Sequence, residues 1–385
     1  MPGVRHHRCL RRYEIQEVPV TTTEDFDNAY ERLAEVLDKI PNSYAHVEDG
    51  THLKVLRWIF TPEEADLASR MKLRGETIEE MADRLDVNIK GMERMLETMH
   101  EKGQIRAWNS STGRRYALIP FAVGIYEEQL GRMDKEFAQL AEDYFVKGRG
   151  GDLFNKEPAV FRVIPINEAV KTELEIHPYD VAEEIVRNSK SWGLRECICK
   201  KQQELLGNPC KYPKSVCLIF APKKENAFDE DELTQSITME ESLKILRESE
   251  EAGLVHCTMN IQSGNNYICN CCTCCCNVLR GVSLSGTPHA FVKANFVVSV
   301  DAELCSGCGT CIERCQFDAL SIPEDISEVN PDLCIGCGVC VITCPEGALE
   351  LESLKDEEKK KPVESFMDWM TQKAISRDVD PSDLM

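Results

Sequence analysis

The residues with chemistry to offer in this chain are its cysteines. Twenty occur among 385 residues, and they are unevenly placed: Cys9 stands alone in the first 196 positions, and nineteen lie between Cys197 and Cys344. Eight form two runs of identical spacing, Cys305-x2-Cys308-x2-Cys311-x3-Cys315 and Cys334-x2-Cys337-x2-Cys340-x3-Cys344. Corresponding cysteines are offset by 29 residues in all four pairs, so this segment is an internal duplication. Eleven more precede it: Cys197, Cys199, Cys210, Cys217, Cys257, Cys269, Cys271, Cys272, Cys274, Cys275 and Cys276. Six of these fall inside the eight-residue stretch CNCCTCCC. Thiolates are soft ligands that select zinc, copper(I) and iron–sulfur clusters. In a large chain of a reducing compartment such cysteines read as metal ligands or redox groups rather than disulfides.

The two regular runs closely resemble the bacterial two-cluster ferredoxin family, through CSGCGTCIERCQFDAL and CIGCGVCVITCPEGAL; the resemblance spans Asn295–Glu352. It implies two 4Fe–4S clusters, in which three cysteines wrap one cubane and the fourth points to the other. On that pattern Cys305, Cys308, Cys311 and Cys344 hold one cluster, and Cys334, Cys337, Cys340 and Cys315 hold the second. Gly307, Gly309, Gly336 and Gly338 allow tight loops whose backbone N–H groups can approach the cluster sulfurs. Strand-like segments, Phe296–Val300 and Ala348–Leu351, flank the loops. Paired CxxC motifs also suit zinc, but two four-cysteine runs at this spacing favour iron–sulfur chemistry. Gln316 stands where the family has proline, which removes a rigid turn but no ligand.

The eleven earlier cysteines follow no such rule. If CNCCTCCC is extended, side chains alternate: Cys269, Cys271 and Cys275 face one way, and Cys272, Cys274 and Cys276 the other. Each set is one thiolate short of a cubane, and Cys197, Cys199, Cys210, Cys217 and Cys257 supply five more. The expectation is one or two further iron–sulfur clusters with non-standard ligation; a zinc site or a redox-active dithiol patch is the alternative. The segments CICKKQQELLGNPCKYPKSVCLIF, GLVHCTMN and ICNCCTCCC ahead of a ferredoxin pair resemble a poorly characterised group of iron–sulfur proteins from anaerobic microbes. That resemblance implies a cluster-rich electron-transfer role and no substrate. His256, beside Cys257, reads as structural rather than ligating, and Cys9 as an incidental thiol.

Helical spacing of apolar residues predicts a helix over Glu24–Ile40, stopped by Pro41. Further helices are expected over His52–Phe60, from Thr61 as N-cap with Pro62 in the first turn, from the capping box at Thr77 to Leu85, and over Ile89–Lys102. Two short strands, Gln104–Trp108 and Arg114–Ile119, should follow around a turn at Asn109–Gly113. This order, carried by TIEEMADRLDVNIKGMERMLETMHEKGQI, resembles the winged helix-turn-helix fold, which implies DNA binding through the Ile89–Lys102 helix. The charges do not press that case: seven basic and seven acidic residues lie between Thr77 and Ile119. A docking or homodimerisation element fits better. One long helix is expected over Gly124–Phe145, a flexible boundary at Gly148–Gly151, an extended Ile164–Ile166, and a helix from His177–Asp180 to Lys190. The capping box at Thr238 should open a helix ending at Gly253. After Glu352 a charged linker leads to a tail helix near Val363–Ile375, whose Phe366 and Trp369 could dock a partner or the chain's own body.

The fold class expected is therefore a multidomain α+β protein: an N-terminal extension (1–50), a winged-helix-like domain (51–150), a cysteine-rich metal-binding region (151–290), a ferredoxin-like domain with a duplicated βαβ pattern (291–352), and a linker with tail helix (353–385). Lys and Arg total 45 against 66 Asp and Glu, a net charge of −21, which makes DNA an unfavoured dominant partner. No run of 18 apolar residues offers a membrane span. No signal peptide is visible, so a cytoplasmic location is expected. Phosphate-binding, flavin and nicotinamide fingerprints are absent, and no residue reads as catalytic. The expected function is one-electron relay to or from a partner oxidoreductase, as a carrier or electron-transfer subunit. The alternative is a redox-sensing transcription regulator in which clusters control DNA binding; a third possibility is an enzyme whose active site is the unusual cluster.

Overall fold

A computed structural model describes residues 23–148, 151–166, 169–170, 177–280 and 290–385. Cys9, Arg149 and Gly150 lie outside the described residues.

The N-terminal part is helical, with helices over Thr23–Lys39, Thr51–Ile59, Pro62–Ala68, Ile78–Leu85 and Met92–Glu101. Thr61 and Thr77 each close a full capping box, with Glu64 and Glu80 respectively; each box satisfies two backbone donors that a helix start leaves open. The Met92–Glu101 helix begins three residues later than its apolar pattern suggests, because Gly91 precedes it in the left-handed region and Ile89 is left exposed. Strands β1 (Ile105–Ser110) and β2 (Gly113–Leu118) pair antiparallel. The hairpin runs further into its turn than expected, and only Ser111 and Thr112 connect the strands.

The long helix expected over Gly124–Phe145 is broken. Ala122, Val123 and Gly124 are non-helical, Tyr126–Glu128 makes a single turn, and a new helix runs over Lys135–Lys147. Asp134 starts it by accepting a hydrogen bond from Phe137 N at 2.8 Å. Ile125, Tyr126, Leu130, Met133 and Phe137 are all buried, so the apolar period runs unbroken across two separate elements.

The region between residues 161 and 292 is a seven-stranded sheet, which the cysteine pattern did not announce. Its strands are β3 (Phe161–Ile164), β4 (Ser191–Glu196), β5 (Ser215–Ala221), β6 (Gln235–Ile237), β7 (Val255–Met259), β8 (Tyr267–Cys271) and β9 (Phe291–Val292). Their order is β6-β4-β5-β8-β7-β3-β9, antiparallel except for the parallel pair β3–β9. One face carries Ile164, Leu218, Phe220 and Ile268, packed with Val186, Leu243 and Leu246 of helices Ala182–Arg187 and Met239–Ala252. The latter helix starts at the Thr238 capping box and ends at Gly253, as its caps predict. The helix expected from His177 to Lys190 is shorter, a turn at Pro178–Asp180 followed by Ala182–Arg187. Asp180 is drawn inward to pair with the fully buried Arg162 of β3.

The C-terminal end closes on itself. β10 (Phe296–Val300) pairs antiparallel with β13 (Leu349–Ser353), and a smaller ladder joins β11 (Leu320–Ser321) to β12 (Glu328–Val329). The charged segment after Glu352 is pinned rather than loose: Gln262 Nε2 donates to Pro362 O at 2.8 Å, and Gln262 N to Val363 O at 2.9 Å. The tail helix, Phe366–Arg377, docks on the chain's own body. Trp369 is fully buried, and its indole N–H donates to Ala159 O at 2.9 Å. Lys373 donates to the carbonyls of Leu153, Lys156 and Pro158. Arg377 reaches Asp38 O and Ile40 O at 2.8 and 2.7 Å. No helix among the described residues is long and apolar enough to cross a membrane.

Trp369→Ala should cost about 3–5 kcal/mol of stability in anaerobic denaturant unfolding, the usual range for a buried aromatic truncation. Ile375→Ala, on the same helix but 74 % exposed, should stay within about 0.5 kcal/mol of wild type; equal effects would contradict the docked arrangement.

Candidate metal centres

The duplicated C-terminal runs fold into two loops whose equivalent glycines share one backbone conformation. Gly307 and Gly336, equivalent across the repeat, both have positive φ, 65° and 69°. A Cβ at these positions would stand 2.4 Å from Asp325 O and 2.2 Å from Phe296 O, so each site needs both glycine's conformation and its lack of a side chain.

The loops bring eight cysteines to two pockets. Cys315, Cys334, Cys337 and Cys340 line one, among Val255, Val298, Leu320, Ile335 and Val339. Cys305, Cys308, Cys311 and Cys344 line the other, with Ile322, Ser327 and Leu349. The fourth cysteine of each run thus stands with the first three of the other. The surroundings differ. In the first pocket burial pushes the Cys337 thiol up to about 12 and raises Cys340 as well. In the second, Ser327 N donates to Cys305 Sγ at 3.4 Å and Ala348 N to Cys344 Sγ at 3.3 Å. There Cys308 is exposed, and its hydrogen bond with Thr310 lowers its thiol. Four convergent sulfurs around each pocket fit a 4Fe–4S cluster, whose positive iron would offset the cost of burying thiolates.

The eleven earlier cysteines divide into seven and four. On the sheet face opposite the helix-packed one stand Cys217 of β5, Cys257 of β7, and Cys269 and Cys271 of β8. Cys257 lies directly opposite Cys269 in the ladder, and Cys217 Sγ is 4.0 Å from Cys269 Sγ. Cys197, Cys199 and Cys276 close over this face from the Ile198–Leu205 helix and from the end of the cysteine-rich turn. Thiol contacts run from Cys197 through Cys199 and Cys276 to Cys271, and on to Cys257 and Cys269. The hydrogen bond with Cys199, then burial, drives Cys197 up. Cys217, which the Cys269 thiol hydrogen-bonds, is lowered. Tyr126, Glu127 and Tyr267 also face this group. Burial pushes the Glu127 carboxyl up to about 8; Tyr126 OH donates to Gln202 Oε1 at 2.6 Å, and Tyr267 OH is buried with no hydrogen-bond partner. None of these three carried a sequence signal.

The remaining four, Cys210, Cys272, Cys274 and Cys275, form a separate group. The alternation expected for an extended CNCCTCCC holds only through Cys271, where β8 ends. The chain then turns, with Cys276 N donating to Cys272 O at 3.0 Å. Cys276 therefore joins Cys269 and Cys271, and Cys275 joins Cys272 and Cys274. Hydrogen bonds from Cys275 and then Cys274 outweigh burial and bring the Cys272 thiol down to about 5.

His256 is structural: Nδ1 contacts Asn270 Oδ1 at 2.5 Å and Nε2 contacts Glu250 Oε1 at 2.9 Å, leaving neither nitrogen for a metal. Gln316, the departure from the ferredoxin pattern, does something the sequence could not reveal. Its Oε1 accepts from Thr273 N at 2.9 Å, and its Nε2 donates to Gly253 O at 2.5 Å. It ties the residue after Cys315 to the middle of the cysteine-rich turn.

Residues 298–321 and 326–349 each match a family model described as a 4Fe-4S binding domain. The curated proteins contain no match to the chain. The C-terminal end thus carries two 4Fe-4S binding domains, and the class of function they define is iron–sulfur electron transfer.

Gln316→Pro restores the residue type of the ferredoxin pattern but leaves Thr273 N and Gly253 O unpartnered. It should destabilise the anaerobic protein by about 1–3 kcal/mol without changing iron content. An unchanged unfolding midpoint would remove Gln316 as the link.

Proposed function

We propose that the protein relays single electrons between a partner oxidoreductase and a third iron–sulfur centre housed by the sheet. The observation that carries this reading is the continuous run of sulfur ligands. The quartet that includes the exposed Cys308 adjoins the half-buried Cys315 quartet, and Gln316 joins the latter to the cysteine-rich turn. Bound clusters supply the one-electron chemistry; the chain's own residues hold, space and insulate them. Cys305, Cys308, Cys311 and Cys344 hold the outer cluster, and Cys315, Cys334, Cys337 and Cys340 the inner one. The third centre draws its ligands from Cys197, Cys199, Cys217, Cys257, Cys269, Cys271 and Cys276.

The partner meets the outer cluster. Around it Leu304, Ile312 and Ile326 are exposed, alongside exposed Asp301, Glu303, Glu313, Glu324 and Asp325. A small apolar patch with an acidic rim suits a basic redox partner whose encounter weakens with salt.

We read the 51–150 module as a winged-helix-like docking or dimerisation element rather than a DNA reader. Of its basic residues, Arg84 pairs with Glu76, Lys102 with Glu64, Arg114 with Glu97 and Arg115 with Glu80, at 2.6, 2.6, 2.9 and 3.1 Å. Cations held by neighbouring carboxylates neutralise few phosphates. A gel-shift assay at low salt, with the protein oxidised and reduced, should show no retardation of duplex DNA; a salt-sensitive shift in either state would revive the regulator reading.

The cluster assignment is tested by pairing variants. Cys344→Ala and Cys308→Ala should leave the same residual EPR spectrum, and Cys315→Ala and Cys337→Ala the other. The intact protein should hold about twelve acid-labile sulfides per chain. About eight would confine clusters to the C-terminal domains and defeat the third centre.

A further inference from the structure

We infer that Cys210, Cys272, Cys274 and Cys275 bind one tetrahedrally held metal ion, zinc or ferrous iron, in a mononuclear site separate from every iron–sulfur cluster. The space between the sulfurs is the size of a single ion. An ion bonded to four thiolates at about 2.3 Å sets its ligand sulfurs about 3.8 Å apart. Here Cys210 Sγ lies 3.6 Å from Cys272 Sγ and 3.7 Å from Cys274 Sγ, while Cys274 Sγ lies 3.3 Å from Cys272 and 3.7 Å from Cys275. All four fall within 4.8 Å of one another, the one such group among the described residues. The two ferredoxin quartets serve as an internal reference: no three sulfurs of either lie within 4.8 Å of one another, in keeping with a cubane, where each thiolate takes a different iron. Nor are these disulfides, whose sulfurs would be about 2.05 Å apart.

The elements that carry the quartet also suit a single ion. Three ligands come from one tight turn, too short to splay them around a cubane, and the fourth arrives from a loop 62 residues earlier. The loop is fixed where Lys200 Nζ donates to Pro213 O at 2.7 Å, and the turn where Gln316 accepts from Thr273 N. Cys272 and Cys275 are each 1 % exposed. An all-sulfur donor set selects zinc or iron among common divalent ions. With four protein ligands and no open position, the ion is structural. It locks the turn that presents Cys276 to the sheet and Thr273 to Gln316.

The test uses the full chain purified anaerobically, with metal and sulfide analysis and X-ray absorption at the zinc and iron edges. The expected result is about one metal ion per chain in excess of the sulfide-matched iron, and, if zinc, a shell of four sulfurs at about 2.3 Å. Cys210→Ser and Cys274→Ser should lower that ion's occupancy at least about tenfold while labile sulfide and the cluster EPR signals persist. Absence of any excess ion in the wild-type protein overturns the inference, with no variant needed. So does a Cys210→Ser protein that loses about four iron and four sulfide together, since the quartet would then belong to a cluster. Because a mononuclear ion brings no sulfide, the sulfide count judges the third cluster independently of this site.

Discussion

Everything in this fold answers to the cost of burying thiolate sulfur. A buried thiol is tolerated as a small apolar group, but a buried thiolate is stable only beside positive charge. Nineteen cysteines lie in one half of the chain, most of them partly or fully buried. Such packing makes physical sense when the sulfurs surround metal, whose charge reverses the burial penalty. The raised thiols of Cys337 and Cys340 record that penalty, and in Cys197 it adds to the hydrogen bond with Cys199; the lowered ones of Cys217 and Cys272 show where neighbouring thiols already favour the anion.

The rest of the chain shields this sulfur. The helical N-terminal part, the Ile198–Leu205 helix and residues of the sheet share one apolar core with the tail helix. Glu142 of the Lys135–Lys147 helix accepts from Gln202, Gln203 and Arg280 at 2.6–2.9 Å. That contact braces the helices carrying Cys199 and following Cys276. Trp369 and Lys373 anchor the tail helix on residues 153–159, and Arg377 returns it to the end of the first helix, so the first helix and the tail helix hold each other over the body of the fold. Water kept from the sheet's sulfur face strengthens the electrostatics within it.

The candidate site was legible in the sequence wherever its geometry is local. The CxxCxxCxxxC spacing, the glycines at 307 and 336, and the capping boxes at Thr61, Thr77 and Thr238 each act within about ten residues, so their pattern and their structure coincide. The seven-stranded sheet was hidden. Val255–Met259 is buried on both faces and shows no alternation to read, and Ser215–Ala221 alternates in burial while its residues after Ser215 are all apolar, so it carries no period either. The helix predicted over Gly124–Phe145 failed for the converse reason, since one apolar period spans two elements that Asp134 separates.

By itself the sequence determined that this is an acidic iron–sulfur protein with two duplicated cysteine runs, because ligand spacing within a loop dictates which sulfurs can reach one cluster. Only the tertiary structure decided how the other eleven cysteines divide. Alternation is a property of extended chain and ends where β8 ends, at Cys271. Past that point the partner of each sulfur is set by contacts from far along the chain: Cys210 meeting the turn, Cys199 meeting Cys276, Gln316 meeting Thr273. Such meetings depend on how the sheet, helices and ferredoxin domain pack, which no local spacing encodes.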